Sequence, residues 1–128
     1  MAHFSKRHSV AACDLRGHGA TPGTPADVTI ENFGADVAGL LREFDWTNAV
    51  LVGHSMGCRV VMQAALDAPD RVGGIVLVDG SALGSGDPAA IERDMGASIR
   101  AIGFTKMTER MFGEMFVPGS DPARKAAI

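Results

Sequence analysis

Apolar residues in this chain follow two rhythms. Ala49-Val50-Leu51-Val52 and Ile75-Val76-Leu77-Val78 are unbroken apolar runs, and Val10-Ala11-Ala12-Cys13 is a weaker third. Runs without alternation suit strands covered on both faces of a parallel sheet. They predict buried strands over 9–15, 48–53 and 74–79. Between the runs the period lengthens. Ile30, Phe33, Val37, Leu40, Leu41 and Phe44 recur at helical spacing, with Asp36, Arg42 and Glu43 on the wet side. Thr29 is placed to cap that helix, and Asn32 falls in its first turn. Met56, Val60, Val61, Ala64, Ala65 and Leu66 predict a second, largely buried helix over 55–67, ended by Pro69-Asp70. Strand, helix, strand, helix, strand reads as right-handed βαβ units building a parallel sheet.

The pattern changes after Asp79. Residues 80–86 are a Gly/Ser loop, read as a linker. Asp87-Pro88 makes a good cap and first turn for a new helix, with Ile91, Met95, Ile99 and Ile102 on one face. A second helix is expected from Thr105, carrying Met107, Met111, Phe112, Met115 and Phe116, and broken at Pro118-Gly119. Ser120-Asp121-Pro122 starts a third. The Met/Phe set suits the packing of a lid, with the lining of an acyl pocket as its other use.

Composition narrows the class. The chain of 128 residues has room for one domain, and 46% apolar residues suffice for a core. Sixteen glycines fit many tight strand-to-helix turns. A net charge of −3 with no run of Lys or Arg argues against a nucleic-acid partner. No apolar stretch reaches the ~18 residues of a membrane span. The apolar stretch near the N-terminus is too short for a signal peptide. Cys13 and Cys58 lie in apolar stretches. They are expected as free, buried thiols, which points to a reducing, cytoplasmic location. Oligomeric state is not legible.

The candidate chemistry sits in Gly53-His54-Ser55-Met56-Gly57, directly after an apolar run and before helix-forming sequence. That setting lifts a serine hydroxyl to the end of a sheet. Serine is a weak nucleophile at neutral pH and needs a base and oxyanion donors. Ser55 is the candidate nucleophile and the Met56 N–H a candidate oxyanion donor. Gly53 and Gly57 are expected to leave room where strand and helix crowd together. The base is the difficulty. The histidines are His3, His8, His18 and His54, and none follows Ser55. His54 adjoins Ser55, and neighbours around a tight turn point apart. His18 belongs to a Gly/Pro loop and reads as structural. Asp79, at a strand end, is either a triad acid or an ordinary loop cap.

With these motifs in this order, the chain resembles the α/β-hydrolase fold family over about residues 8–80, and more loosely beyond. Asp14-Leu15-Arg16-Gly17-His18-Gly19 resembles the loop after the family's fourth strand. Val52 to Gly57 resembles the nucleophile elbow of its esterases and lipases. Asp70-Arg71-Val72 and Ile75 to Asp79 resemble the approach to the sixth strand and that strand itself. Cys58 stands where many relatives have a second glycine.

The resemblance implies an α/β architecture: a partial α/β-hydrolase fold of three parallel strands with flanking helices over 1–80. A linker and the start of a helical cap would follow over 81–128. It implies a serine hydrolase acting on a small carboxylic ester or related acyl substrate, with no metal or organic cofactor. A serine, rather than an aspartate, at the elbow argues against the dehalogenase and epoxide hydrolase branches. Esterase, lipase, C–C hydrolase and acyltransferase or perhydrolase stay open.

The family segments that carry the second oxyanion donor, the usual acid and the histidine have no counterpart in these residues. The chain alone is therefore expected to be inactive. The alternative is a non-catalytic fragment or binding module of the same fold. The family's third strand would lie between the first two strands here, so their facing edges are expected to be unpaired. Ile30, Phe33, Val37, Leu40, Val60 and Val61 are accordingly expected to find only part of their partners.

Overall fold

The computed structural model of the chain describes residues 2–80 and 86–125. They belong to two compact units, 1–83 and 84–128. In the first unit the order is helix α1 (Ile30–Glu43), strand β1 (Ala49–His54), helix α2 (Met56–Asp67) and strand β2 (Val72–Val78). Two short 3-10 turns, Phe4–Lys6 and Pro25–Asp27, precede α1. β1 and β2 pair in parallel, with Leu51 opposite Ile75 and His54 opposite Val78.

Helix α1 starts where its cap predicts. Thr29 is extended, and its Oγ1 accepts the N–H of Asn32 at 3.2 Å, satisfying one orphan donor of the first turn. The Asn32 side chain reaches back to the Asp27 carbonyl at 3.0 Å. α1 and α2 pack on each other, and α2 also lies on the sheet. Their core is Phe33, Ala38 and Leu41 from α1 with Cys58, Val60, Val61 and Ala64 from α2, closed by Ala68. The helices approach closely because Gly34 has no side chain. A Cβ there would collide with the Gln63 side chain and press on the backbone of Ala64.

Three expectations are corrected. Residues 9–15 form no strand, so the sheet among the described residues has two strands rather than three. A strand exists through the ladder bonds of a neighbour, and no neighbour pairs with this segment. It lies mostly at the surface, and Cys13 is exposed rather than buried, while Cys58 is buried; both thiols are free. Second, the strands are not covered on both faces. β1 alternates, with Gly53 buried but Val50 64% and Val52 66% exposed, and Val76 and Val78 are exposed as well. Third, the helices find more of their partners than expected. Phe33, Val60 and Val61 are buried because α1 and α2 cover each other, while Ile30, Val37 and Leu40 are half-buried, as expected.

The loop between residues 14 and 24 is tied to α1 by charge. Arg16 donates through Nε to Asp36 Oδ2 at 2.6 Å and through a second guanidinium nitrogen to Asp36 Oδ1. Those bonds hold the Asp36 carboxyl below the usual carboxylate range. Within the loop the Asp14 carboxylate accepts the Ala20 N–H at 3.0 Å, and the Thr24 hydroxyl donates to Asp27 at 2.6 Å. At the far end of the first unit, Arg71 clasps three chain segments. It donates to the Leu41 and Trp46 carbonyls and to the Asp45 carboxylate at 3.2–3.4 Å, while its own carbonyl accepts the Ala49 N–H at 2.9 Å.

The second unit is helical. α3 (Pro88–Ile102), α4 (Phe104–Glu114) and a single turn α5 (Pro122–Lys125) follow one another. Asp87 caps α3 by accepting the Ala89 N–H at 3.1 Å, and Pro88 is its first residue, as the sequence pattern predicts. Gly103, at φ 83°, ends α3 and begins α4. Of the expected Gly/Ser linker, residues 81–85 lie outside the described residues.

Two outcomes follow from this distribution. The open sheet face should make the folded chain bind a hydrophobic dye such as ANS and melt over a broad range. A sharp, reversible, two-state melt of a dye-free monomer would show that this face is covered in solution. The Arg16–Asp36 pair should contribute only modestly to stability, because more than a third of the Asp36 side chain meets solvent. A carboxylate depressed in the folded state adds stability above its unfolded pKa of ~4 and loses it as pH falls through the folded value. Asp36→Asn should therefore lower the melting temperature at pH 7 and make little difference in acid. An equal gap at both pH values would show that the charge contributes nothing.

Candidate active site

The site is built at the end of β1. Four residues of continuous apolar strand, Ala49 to Val52, lead to Gly53 and His54, and the chain then reverses into α2 within one residue. Ser55 makes that turn at φ 52°, ψ −119°, a left-handed conformation that non-glycine residues adopt at a cost. Its N–H donates to the Val78 carbonyl at the end of β2 at 3.0 Å, and its carbonyl accepts the Cys58 N–H at 3.0 Å. The turn is thus held from the neighbouring strand and from the helix it opens.

Ser55 occupies the position before α2, where a serine commonly caps the helix with its side chain. Here the hydroxyl makes no cap bond, and the residue is exposed. The Oγ is therefore left for other work. Met56 is the first residue of α2, so its N–H has no partner within the helix and lies at the positive end of the helix dipole. The expected role of the flanking glycines is half right. A Cβ on Gly53 would collide with the Gly57 carbonyl, so glycine is required there by the close passage of strand and helix. A Cβ on Gly57 would meet nothing within 4 Å, so the second glycine has no steric reason among the described residues.

The other candidate residues are placed as follows. His54 is the last residue of β1, and its side chain is exposed next to the turn. Asp79 follows β2 directly, at φ 47° and exposed, one step beyond the Val78–His54 register pair. Asp79 and Ser55 therefore leave the same end of neighbouring strands. His18 lies in the loop before α1, its Nδ1 3.1 Å from the Arg16 carbonyl and its ring edge-on to Phe33 at 5.7 Å. Among the described residues no group of three His, Cys, Asp or Glu side chains could hold a metal ion, and no helix is long and apolar enough to cross a membrane. Sequence reasoning did not foresee the Cys58 thiol beneath the turn, with Sγ 3.2 Å from the Gly53 carbonyl. The only signal was a cysteine where a glycine is common.

The sequence profile of the α/β hydrolase fold matches residues 1–101. The chain is 37% identical over 79 residues to a 2-(acetamidomethylene)succinate hydrolase of Mesorhizobium japonicum, covering 62% of this chain and 28% of that protein. It is 37% identical over 102 residues to an sn-1-specific diacylglycerol lipase of Mus musculus, covering 80% of this chain and 32% of that one. The chain thus spans about a third or less of the length of these curated relatives. Among solved structures, an extracellular α/β-hydrolase from a Paenibacillus species superposes with a TM-score of 0.68 at 25% identity, over 96% of this chain and 53% of that one. A strand-to-helix turn carrying an uncapped serine, a parallel strand beside it and a matching profile over most of the length agree: the chain belongs to the α/β-hydrolase fold family.

Proposed function

We propose that Ser55 is the nucleophile of a serine hydrolase acting on a carboxylic ester or related acyl substrate. The observation that carries this is the conformation of Ser55 itself, strained, exposed and not spent on capping α2. Such strain persists only where the surrounding structure holds it, and it clusters at functional sites. The names of two relatives, a hydrolase and a lipase, support the reaction class.

In this mechanism Ser55 Oγ attacks the substrate carbonyl and passes its proton to a base. The Met56 N–H donates to the oxyanion. Collapse of the tetrahedral intermediate expels the alcohol, which takes the proton from the base and leaves an acyl-serine. Water then attacks the acyl group, its proton passing through the same base, and free Ser55 returns with a carboxylic acid as product. The base is a histidine supplied from outside these 128 residues. Asp79, one strand over, is a candidate for its acid partner. Residues 81–128 supply a linker and the start of a helical cap. Two free cysteines support a reducing, cytoplasmic setting.

A second reading is favoured by one specific observation. All four histidines precede Ser55 in the sequence, which suits a non-catalytic fragment or binding module of the same fold. Two measurements separate the readings. The 128-residue chain with a short activated ester such as p-nitrophenyl acetate should hydrolyse at the buffer rate, and Ser55→Ala should change nothing. Enzyme-like turnover abolished by Ser55→Ala would place the base within the chain. In a longer polypeptide that includes the histidine, Ser55→Ala should lower kcat by at least about 10³-fold without shifting the melt. Full activity of that variant would remove Ser55 from the mechanism.

A further inference from the structure

Cys58, the third residue of α2, is 1% exposed. It touches every piece of chain that shapes the Ser55 turn. Its Sγ lies 3.2 Å from the carbonyl of Gly53, in the strand before the turn, and 3.4 Å from the carbonyl of Val78, at the end of β2. Its N–H donates to the carbonyl of Ser55. The Val78 carbonyl is the one that accepts the Ser55 N–H. One thiol proton is thus shared between two strand-end carbonyls, one of which also holds Ser55. The chain leaving Asp79 passes directly over the sulfur, since a Cβ on Gly80 would collide with it. Ser55 and Asp79, on either side of this thiol, both hold positive φ, 52° and 47°. Two strained residues on adjacent strands persist only if something ties their strands together.

We propose that Cys58 is a positioning residue for Ser55: its thiol clamps the end of β2 to the base of the nucleophile turn. The clamp keeps Ser55 and Asp79 in their left-handed conformations at one end of the sheet. Its catalytic meaning rests on Ser55 being the nucleophile, but the clamp itself is measurable without turnover. A filler of core space is the competing role. Alanine and serine separate the two, because both are smaller than cysteine and only serine keeps a donor.

The experiment is residue-resolved amide hydrogen exchange by NMR on the 128-residue chain, comparing wild type, Cys58→Ala and Cys58→Ser. In Cys58→Ala the Ser55 and Cys58 amides should exchange about tenfold faster or more, while the Phe33, Ala38 and Leu41 amides in α1 hold their rates. Cys58→Ser should return the elbow amides to within about threefold of wild type. Unchanged exchange at Ser55 in Cys58→Ala overturns the clamp. So does an equal rise in α1, which would mark Cys58 as core packing alone, and so does a serine variant that behaves as alanine does. A chain inert to esters that still shows the expected pattern keeps the clamp and removes only the hydrolase reading.

Discussion

The bond on which the site depends is the one from the Ser55 N–H to the Val78 carbonyl, 3.0 Å long and running between neighbouring strands. It is the last rung of the parallel ladder, made after β1 has ended. By catching the first residue beyond the strand, it lets the chain turn sharply into α2 while the backbone stays satisfied. Everything chemically notable follows from that reversal. The serine is forced to positive φ, its hydroxyl is left exposed, and the first amide of α2 is brought beside it. The absence of a side chain at Gly53 is what allows strand and helix to pass so closely.

Around this turn the apolar surface is unevenly used. α1 and α2 bury their facing residues in each other, helped by Gly34, and the inward face of β1 shares that core. The outward face is different. Val50, Val52, Val76 and Val78 form an exposed apolar surface on a sheet that has two strands among the described residues, and Ile75 and Leu77 of β2 are exposed as well. A parallel sheet is stable when both faces are covered. The first unit therefore joins two helices that bury one face in each other to a sheet whose outer face is open. The matched segment covers 28% and 32% of the two relatives described above.

The polar ties fall at the margins of this arrangement. Arg16 and Asp36 fasten the loop before α1 to the helix, and Arg71 gathers the end of α1, the approach to β1 and the start of β2. Each ion pair is partly exposed, so their value lies more in fixing loop geometry than in net stability. The second unit uses simpler devices, a capping aspartate, a proline at the first helical position and a glycine between helices. These are local signals, and each works over a few residues.

The sequence alone determined what depends on near neighbours. The Thr29 cap, the helical spacing from Ile30 to Leu41, the Val/Leu runs of the strands and the Asp87-Pro88 helix start are all local, and all stand where the pattern places them. The serine turn was legible for the same reason: an apolar run, a glycine, a serine and a helix pattern lie within a dozen residues. Tertiary structure decided what needs a partner from far along the chain. Residues 9–15 have strand-like composition but no ladder, because a strand is made by its neighbour and none pairs with it here. The continuous run in β1 does not say whether its outer face is covered, and among the described residues Val50 and Val52 are exposed. Cys13 and Cys58 sit in similar apolar stretches, yet one meets solvent and the other lies under the elbow. The Arg16–Asp36 pair and the approach of the Cys58 thiol to Val78 each join residues twenty positions apart. No period or motif encodes such a pairing; it exists only once strand and helix have closed on each other.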